Sequence, residues 1–428
     1  MEWYIPFNRL SPLQRNVLTT VMGNLRQIHW IRGCAGTGKT LLLAHLIERV
    51  ASVDVTGTIC FVTYTNALRD LVTDGLFNKS STDEATSAKR LKNRVQVLTH
   101  TRFLEERRSY TYVFVDEVQD LPPADLRQIR GLSEHLILAG DPDQRIYAKG
   151  GGEESIKALV TGRAFELREV FRLTPEIRAL AECVLERAGL VEADDAKVSE
   201  DFPPQRVQAV DEREEAEWVW KTAQQCAVPG RPSAILFPTH DDIHKFATYV
   251  AQFENTPIQP KARRLYRGMH LDYKPFNDFW LQRGVPLRYL GGGHGSLEES
   301  DEIATTFLMT YHSSKGLDFS AIFLPALNED LDIAPVRAAA GDPDLEATLL
   351  FVAVTRSRRR LFLSYSSETP HWRIDTIDED VLPPFDAEAW DVLMGGDDED
   401  PLDDSDEYEE DEGGEDEDDE DDESNGRG

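Results

Sequence analysis

Short, mostly apolar runs punctuate the first third of the chain, at residues 27–31, 59–62, 95–98, 112–115 and 136–139. Longer stretches with helical spacing separate them, and the apolar stretch 41–50 predicts a helix directly after the first run. Short continuous strands divided by helices indicate a parallel sheet covered on both faces, hence an α/β fold. A second unit of the same kind follows, with predicted strands at 234–237, 305–309, 321–324 and 361–364 and helices at 175–188, 241–253 and 345–355. Ligands of such sheets sit at the carboxyl ends of the strands, and the polar motifs of this chain fall there.

The first motif is Gly33-Cys34-Ala35-Gly36-Thr37-Gly38-Lys39-Thr40, a complete G-x-x-x-x-G-K-[ST] loop between the strand 27–31 and the helix 41–50. Its glycines let the backbone curl with N–H groups inward, and the helix N-terminus adds partial positive charge. Lys39 reaches β- and γ-phosphates, and the Thr40 hydroxyl can ligate Mg²⁺. A chance glycine-rich turn would lack both the Lys-Thr pair and the flanking strand and helix.

Val113-Phe114-Val115-Asp116-Glu117 is an apolar strand ending in two acids. There Asp116 would bind Mg²⁺, directly or through water, and Glu117 would orient and deprotonate an attacking water. In isolation the pair would read as a helix cap. Gly140-Asp141-Pro142-Asp143-Gln144 ends the next strand, where Gln144 can sense the γ-phosphate. Phosphoryl transfer also needs cations on that phosphate, and Arg172 and Arg356 are the candidates.

Composition narrows the setting. A chain of 428 residues has room for two or three domains. No apolar run is long enough to span a bilayer, and residues 1–6 do not resemble a secretory leader. Cys34, Cys60, Cys183 and Cys226 are scattered without C-x-x-C spacing, which predicts a reducing, cytoplasmic setting with no disulfide frame and no zinc site. Cys34, inside the loop, reads as a small filler. The formal charge of −32 is concentrated at the end, where residues 397–423 hold 21 acids and only Arg427 is basic after Gly396. Without that segment the charge is −12, so any polyanion site must be local. The clusters Lys89-Arg90-Lys92-Arg94, Arg107-Arg108, Lys261-Arg263-Arg264-Arg267 and Arg358-Arg359-Arg360 each read, alone, as solvated surface. The acidic tail has almost nothing apolar to bury and is expected to be disordered, acting for solubility or as a mimic that competes for a basic channel.

Placed in order, these pieces resemble the UvrD/Rep/PcrA-like group of superfamily 1 helicases, over roughly residues 10–365. Gln14 is similar to the glutamine that reads adenine. Thr63-Tyr64-Thr65-Asn66 and Thr99 resemble the strand-contact motifs. Asp116-Glu117-Val118-Gln119-Asp120 matches D-E-x-Q-D, and Gly140–Tyr147 matches G-D-x-x-Q-x-I-Y. Phe171-Arg172 resembles the motif whose aromatic stacks on adenine. Thr310-Tyr311-His312-Ser313-Ser314-Lys315-Gly316-Leu317-Asp318-Phe319 is similar to T-x-H-x-x-K-G-L-E-F, and Phe351–Ser357 matches Y-V-x-V-T-R-A, making Arg356 the implied arginine finger.

The resemblance implies two RecA-like domains, 1–166 and 167–372, then an extension 373–395 and the acidic tail 396–428. ATP with Mg²⁺ would bind in the cleft through residues 33–40, Gln14, Phe171 and Gly316. Single-stranded DNA, with RNA possible, would run over Tyr64, Thr65, Asn66, Thr99, Tyr147, Thr310 and His312. Ile146-Tyr147 after the glutamine implies 3′→5′ movement. Three departures stand out: Lys149 where relatives carry an aromatic, Asp318 in place of glutamate with its contact in doubt, and too little chain for two large accessory insertions. The sequence therefore supports two readings, a 3′→5′ DNA translocase or helicase, and a nucleic-acid-gated ATPase subunit of a partner such as a nuclease in DNA repair or phage defence. Neither involves a membrane.

Overall fold

Each apolar run predicted as a strand is one in the computed structural model, which describes residues 4–77, 93–147, 149–186, 190, 194–195, 202–264, 271–334 and 344–395. The acidic tail, Lys89-Arg90-Lys92 and Arg267 lie outside the described residues. Met1–Phe385 forms one compact unit that holds both sheets, and Asp386–Gly428 forms a second, of which the helix Ala387–Gly395 is described. No helix among the described residues is long and apolar enough to cross a membrane.

The first sheet contains β1 (His29–Gly33), β2 (Ile59–Thr63), β3 (Val95–Thr99), β4 (Tyr110–Val115), β5 (Ser133–Gly140) and β6 (Ala164–Leu167). Its order is β3-β2-β4-β5-β1-β6, with every pairing parallel. β2 is buried at all positions, and β4 and β5 are buried toward their carboxyl ends, as helices on both faces require. The edge strand β6 escapes the sequence reading because only Leu167 of its four residues is buried.

Helices α1 (Pro12–Gly23), α2 (Lys39–Val53) and α3 (Asn66–Phe77) belong to this half. Ser11 and Gln14 form a capping box at the start of α1, which fixes where that helix points. Arg94 is turned inward, donating to the carbonyls of Ala51 (3.0 Å), Asp54 and Gly57 (2.8 Å). It closes the end of α2 onto the sheet rather than joining a basic surface patch.

After the two-residue pair β7 (Glu169–Val170) and β8 (Asp194–Asp195), the second sheet is built from β9 (Gln205–Gln208), β10 (Ser233–Phe237), β13 (Leu287–Tyr289), β14 (Thr306–Thr310), β15 (Phe319–Leu324) and β16 (Ser357–Tyr365). Its order is β13-β14-β10-β15-β16-β9, again parallel throughout. A small antiparallel hairpin, β11 (Arg263–Arg264) with β12 (Leu271–Asp272), projects from this half. The helix Leu345–Val354 is buried along its whole length and packs on the helix Pro175–Val184. That is why its sequence is apolar on every side rather than striped.

Glu215, 4% exposed, ties helix Glu212–Cys226 to the second sheet. One of its oxygens accepts from Ser364 Oγ of β16 (2.7 Å) and from the Ala326 N–H (2.7 Å), where Ala326 holds a left-handed φ of 59°. Glu215→Ala leaves both donors buried and unpaired, and urea unfolding should show a loss of about 1–3 kcal/mol. Glu215→Gln keeps an acceptor and should lose clearly less; equal losses would refute the hydrogen-bond account.

Candidate active site and nucleic-acid interface

β1 ends on Gly33 and α2 begins on Lys39, so the loop between them turns at the carboxyl edge of the first sheet. Gly36 and Gly38 hold φ of 81° and 82°, a conformation that side chains oppose. Space demands glycine as well: a Cβ on Gly36 would stand 2.9 Å from Arg172 Cβ, and one on Gly38 2.8 Å from Gln14 Nε2. Gln14 braces the loop, its Oε1 accepting from the Ser11 N–H (3.1 Å) and its Nε2 donating to Thr37 O (3.2 Å). Phe171, about two-fifths exposed, is pinned beside it by an N–H bond to Gly36 O (3.0 Å). Lys39 Nζ donates to the loop carbonyls of Gly33 (2.7 Å) and Cys34 (3.0 Å). Thr37 Oγ1 donates to Cys34 O (3.0 Å), and Ala35 is buried in the core. Burial, helped by Asp141, pushes the Cys34 thiol up to about 11 and keeps it protonated, in keeping with a filler.

Opposite the loop, Thr40 Oγ1 donates to Asp116 Oδ2 (2.5 Å), and the other Asp116 oxygen accepts from the Glu117 N–H (2.9 Å). Glu117 has φ of 52°, a left-handed conformation that costs about 1–3 kcal/mol and recurs at functional sites. Its Oε2 accepts from Gln119 Nε2 (2.6 Å); Gln119 Oε1 accepts from the Asp141 N–H (3.1 Å); Asp141 Oδ2 accepts from Gln144 Nε2 (2.7 Å). This relay joins the ends of β4 and β5, with Gly140 required because a Cβ there would fall 2.2 Å from Gln119 Oε1. Burial and then Glu117 raise the Asp116 carboxyl to about 6. Burial acts on Glu117 as well, but Lys315 and Lys39 outweigh it and hold that carboxyl below its ordinary range. A threonine hydroxyl beside a buried carboxylate, at the head of an amide-lined loop, is a hard-oxygen donor set that fits Mg²⁺ with a nucleoside triphosphate.

From the second half, Asp318 Oδ2 lies 3.6 Å from Arg172 Nη1 and its Oδ1 2.9 Å from Arg358 Nη2. Burial opposes ionisation of Asp318, but Arg358 and then Arg172 outweigh it and hold its carboxyl below the ordinary range. Arg172 Nε is buried without a hydrogen-bond partner among the described residues. Arg356, 2% exposed, donates to Val352 O (2.7 Å), Leu317 O (3.1 Å) and Thr355 Oγ1 (2.9 Å). Burial, with Arg172 adding to it, lowers its guanidinium to about 9. Gly316, with φ of 84°, packs against Leu68 of α3, where a Cβ would stand 2.9 Å from Leu68 Cδ2, so its glycine serves close packing between the halves.

Above these groups runs a groove of about 510 Å³. Tyr64, Thr65, Asn66 and Tyr147 line one wall, and His240, Tyr289, Thr310 and His312 the other. Tyr64 stacks on His100 (centroids 4.6 Å, 19°) and lies against Tyr147 (4.3 Å, 31°), which meets His312 at 5.7 Å. Burial and then Lys315 lower the His312 imidazole to about 4, so it is a neutral ring near pH 7. Thr65 and Thr99 have local duties: Thr65 Oγ1 accepts from the Leu68 N–H (3.2 Å), and Thr99 Oγ1 caps helix His100–Glu106 through Arg102 (3.4 Å). Thr99 does not line the groove. Asn66 Oδ1 accepts from Arg69 Nη1 (3.0 Å), and Thr310 Oγ1 bonds Ser313 Oγ (3.0 Å).

The sequence reading assigned no role to Lys315, Asp120, Gln119 or Arg358, although three of them stand inside motifs it quoted. It also missed His240 and Tyr289 in the groove, whose convergence depends on β10 and β13 lying in one sheet, and Arg264, read there as part of a solvated basic cluster, lines the groove too.

Residues 18–150 match the AAA domain family, and residues 293–368 match the UvrD-like helicase C-terminal domain family. The ATP-dependent DNA helicase Rep of Buchnera aphidicola subsp. Schizaphis graminum is 41% identical over 59 residues, 14% of this chain and 9% of that protein. The ATP-dependent DNA helicase PcrA of Leuconostoc citreum is 43% identical over 70 residues, 16% of this chain and 9% of the relative. This chain thus aligns with less than a tenth of the length of these curated relatives. The PRRSV helicase structure shares 13% identity at a TM-score of 0.40, over 82% of this chain and 55% of that one. Motif order, site geometry and the two family matches together make this chain similar to the UvrD-like group of superfamily 1 helicases.

Proposed function

We propose that this chain is an ATP-driven motor that moves 3′→5′ along single-stranded DNA and opens duplex ahead of it. The observation that carries the reading is a single cluster: Thr40 and Asp116 at the phosphate loop, Glu117 within reach of Lys315 from the second domain (3.7 Å), and an aromatic groove immediately above. The domains are 1–166 and 167–372, with 373–395 an extension, in a cytoplasmic setting.

In this reading the amides of residues 33–40 and Lys39 hold the β- and γ-phosphates, with Gln14 and Phe171 against adenine. Thr40 and Asp116 would hold Mg²⁺, which supplies charge neutralisation on those phosphates. Glu117, kept ionised, orients the attacking water and accepts its proton. Gln144 contacts the γ-phosphate and passes its presence along the Gln144–Asp141–Gln119–Glu117 relay. Arg172 and Arg356 neutralise the charge that develops on transfer. Tyr64, Tyr147 and His312 offer ring faces to bases, and His100 backs Tyr64 where Lys149 supplies no ring. Polarity rests on Ile146-Tyr147 following Gln144.

The second reading, a nucleic-acid-gated ATPase subunit of a partner nuclease, is favoured by the compactness of the second half. Between Arg172 and Thr310 the described chain builds β9, β10, β13 and their helices, with the hairpin β11–β12 as its excursion.

Steady-state ATPase assays with and without single-stranded DNA or RNA test the first reading. Lys39→Ala and Glu117→Gln should each lower strand-stimulated kcat by at least about 10²-fold, the usual contribution of a positioned base. Unchanged rates would refute the site assignment, and the polymer that stimulates names the track. Duplex with a 3′ single-stranded overhang should be opened and duplex with a 5′ overhang should not; intact ATPase with neither opened would favour the gated subunit. Tyr64→Ala and Tyr147→Ala should each weaken strand binding by about 1–3 kcal/mol in fluorescence titrations. Wild-type affinity in both would remove the groove from the strand path.

A further inference from the structure

The groove above the site is rich in rings and hydroxyls and poor in charge. His312 is neutral near pH 7, and burial followed by His244 lowers the His240 imidazole as well. Among the described residues that line the groove, Arg264 is the one cationic side chain. It is exposed, and it makes no ion pair among the described residues.

The basic cluster at residues 261–264 does not act as one surface. In the antiparallel pair β11–β12, Arg264 lies opposite Leu271 and Arg263 opposite Asp272. Directly opposite residues share a face of such a pair, and successive residues point to opposite faces. Arg264 and Leu271 line the groove together, whereas Lys261, Arg263 and Asp272 do not line it.

Both legs of this hairpin end on His244 of the helix His240–Phe253. Before β11, the Ala262 N–H donates to His244 Nε2 (3.2 Å), and Gln259 Nε2 donates to His244 O (3.1 Å) and to Thr248 Oγ1 (3.2 Å). After β12, the buried Tyr273 stacks on the His244 ring (5.5 Å, 3°) and on Tyr289 of β13 (3.5 Å, 14°). Its hydroxyl bonds His240 Nδ1 (2.8 Å). His244 Nε2 can accept only while unprotonated, and burial followed by Lys261 lowers that imidazole. The backbone of Arg264 is thus held two residues from a hydrogen-bonded anchor, and a group on fixed backbone loses less freedom when it binds.

Each nucleotide of a strand in this groove carries a negative charge, and stacking on Tyr64 and Tyr147 neutralises none of it. Phosphate contacts fix a strand's path whatever its sequence, and a planar guanidinium suits phosphate oxygens. We propose that Arg264 binds a phosphodiester of single-stranded DNA in the groove and gives the second domain its charged contact with the strand backbone. The proposal rests on the reading of the groove as the strand path.

The test is a fluorescence titration of a labelled thymidine oligonucleotide at several salt concentrations. It compares wild type, Arg264→Ala, Arg264→Lys, Arg263→Ala, Tyr64→Ala and Tyr147→Ala, each first checked for an unchanged Tm. Loss of one phosphate contact on a single strand should flatten the slope of log affinity against log salt by about 0.7 in Arg264→Ala. The deficit of that variant should therefore shrink about fivefold for each tenfold rise in salt. Arg264→Lys keeps the charge and should keep the wild-type slope; Arg263→Ala should keep it too. The tyrosine variants should bind more weakly with the slope unchanged, because they remove no cation. A wild-type slope in Arg264→Ala, or an equal flattening in Arg263→Ala, overturns the phosphate contact while weakened tyrosine variants leave the groove reading in place. Wild-type affinity in Arg264→Ala and in both tyrosine variants overturns the groove reading itself, and the phosphate contact with it.

Discussion

Four carboxylates, Asp116, Glu117, Asp120 and Asp141, are buried at the carboxyl ends of β4 and β5. Burial of that much negative charge is the constraint on which the rest of this structure depends, since an unpaired buried carboxylate is among the most expensive groups a protein can hold. The first sheet contributes Lys39 to the cluster, and that ammonium is engaged with the loop carbonyls of Gly33 and Cys34. The remaining compensation comes from the second domain. Lys315 bonds Asp120 directly, and Arg356 acts on Glu117 at longer range. The electrostatics of the first domain are therefore complete only with the second in place, which makes the distance between them a chemical variable as well as a mechanical one.

The opposite imbalance holds on the facing side. Arg172, Arg356 and Arg358 surround a single carboxylate, Asp318, and burial together with mutual repulsion lowers both Arg172 and Arg356. A cluster with surplus positive charge beside a cluster with surplus negative charge, separated by an amide-lined loop, suits a polyanion accompanied by a divalent cation. Neither ion alone would balance both sides. The electrostatics of the cleft thus follow from where the two domains bury their unlike charges, and the hydrogen-bonded relay from Gln144 links that balance to Glu117.

Much of this was legible along the chain, for a physical reason. Strands buried on both faces must be apolar without interruption, so β2, β4, β10 and β15 were visible as runs. A phosphate loop needs glycine where φ is positive, so Gly36 and Gly38 were visible as spacing. The edge strands β6 and β9 expose half or more of their residues at least partly and left no such mark. Lys315 and Asp120 were both quoted within motifs, but their meaning is an ion pair between residues 195 positions apart, and nothing local to either predicts the other. The pairing of Asp318 was likewise invisible, because its partner Arg358 stands inside a run of three arginines that read as surface.

Taken as the strand path proposed above, the groove would balance binding and release in one set of side chains. Tyr64 and Tyr147 already lie against each other at 4.3 Å, with His100 behind the first and His312 facing the second. A base entering there exchanges ring–ring contacts of about 0.5–1.5 kcal/mol for base–ring stacking of about 1–3 kcal/mol. The net gain per base is then on the order of 1 kcal/mol, toward the low end of the range for base–ring stacking. His312, neutral near pH 7, adds a ring face without a phosphate-binding charge. If the groove is the strand path proposed above, weak and repeated ring contacts of this kind would hold a strand without trapping it.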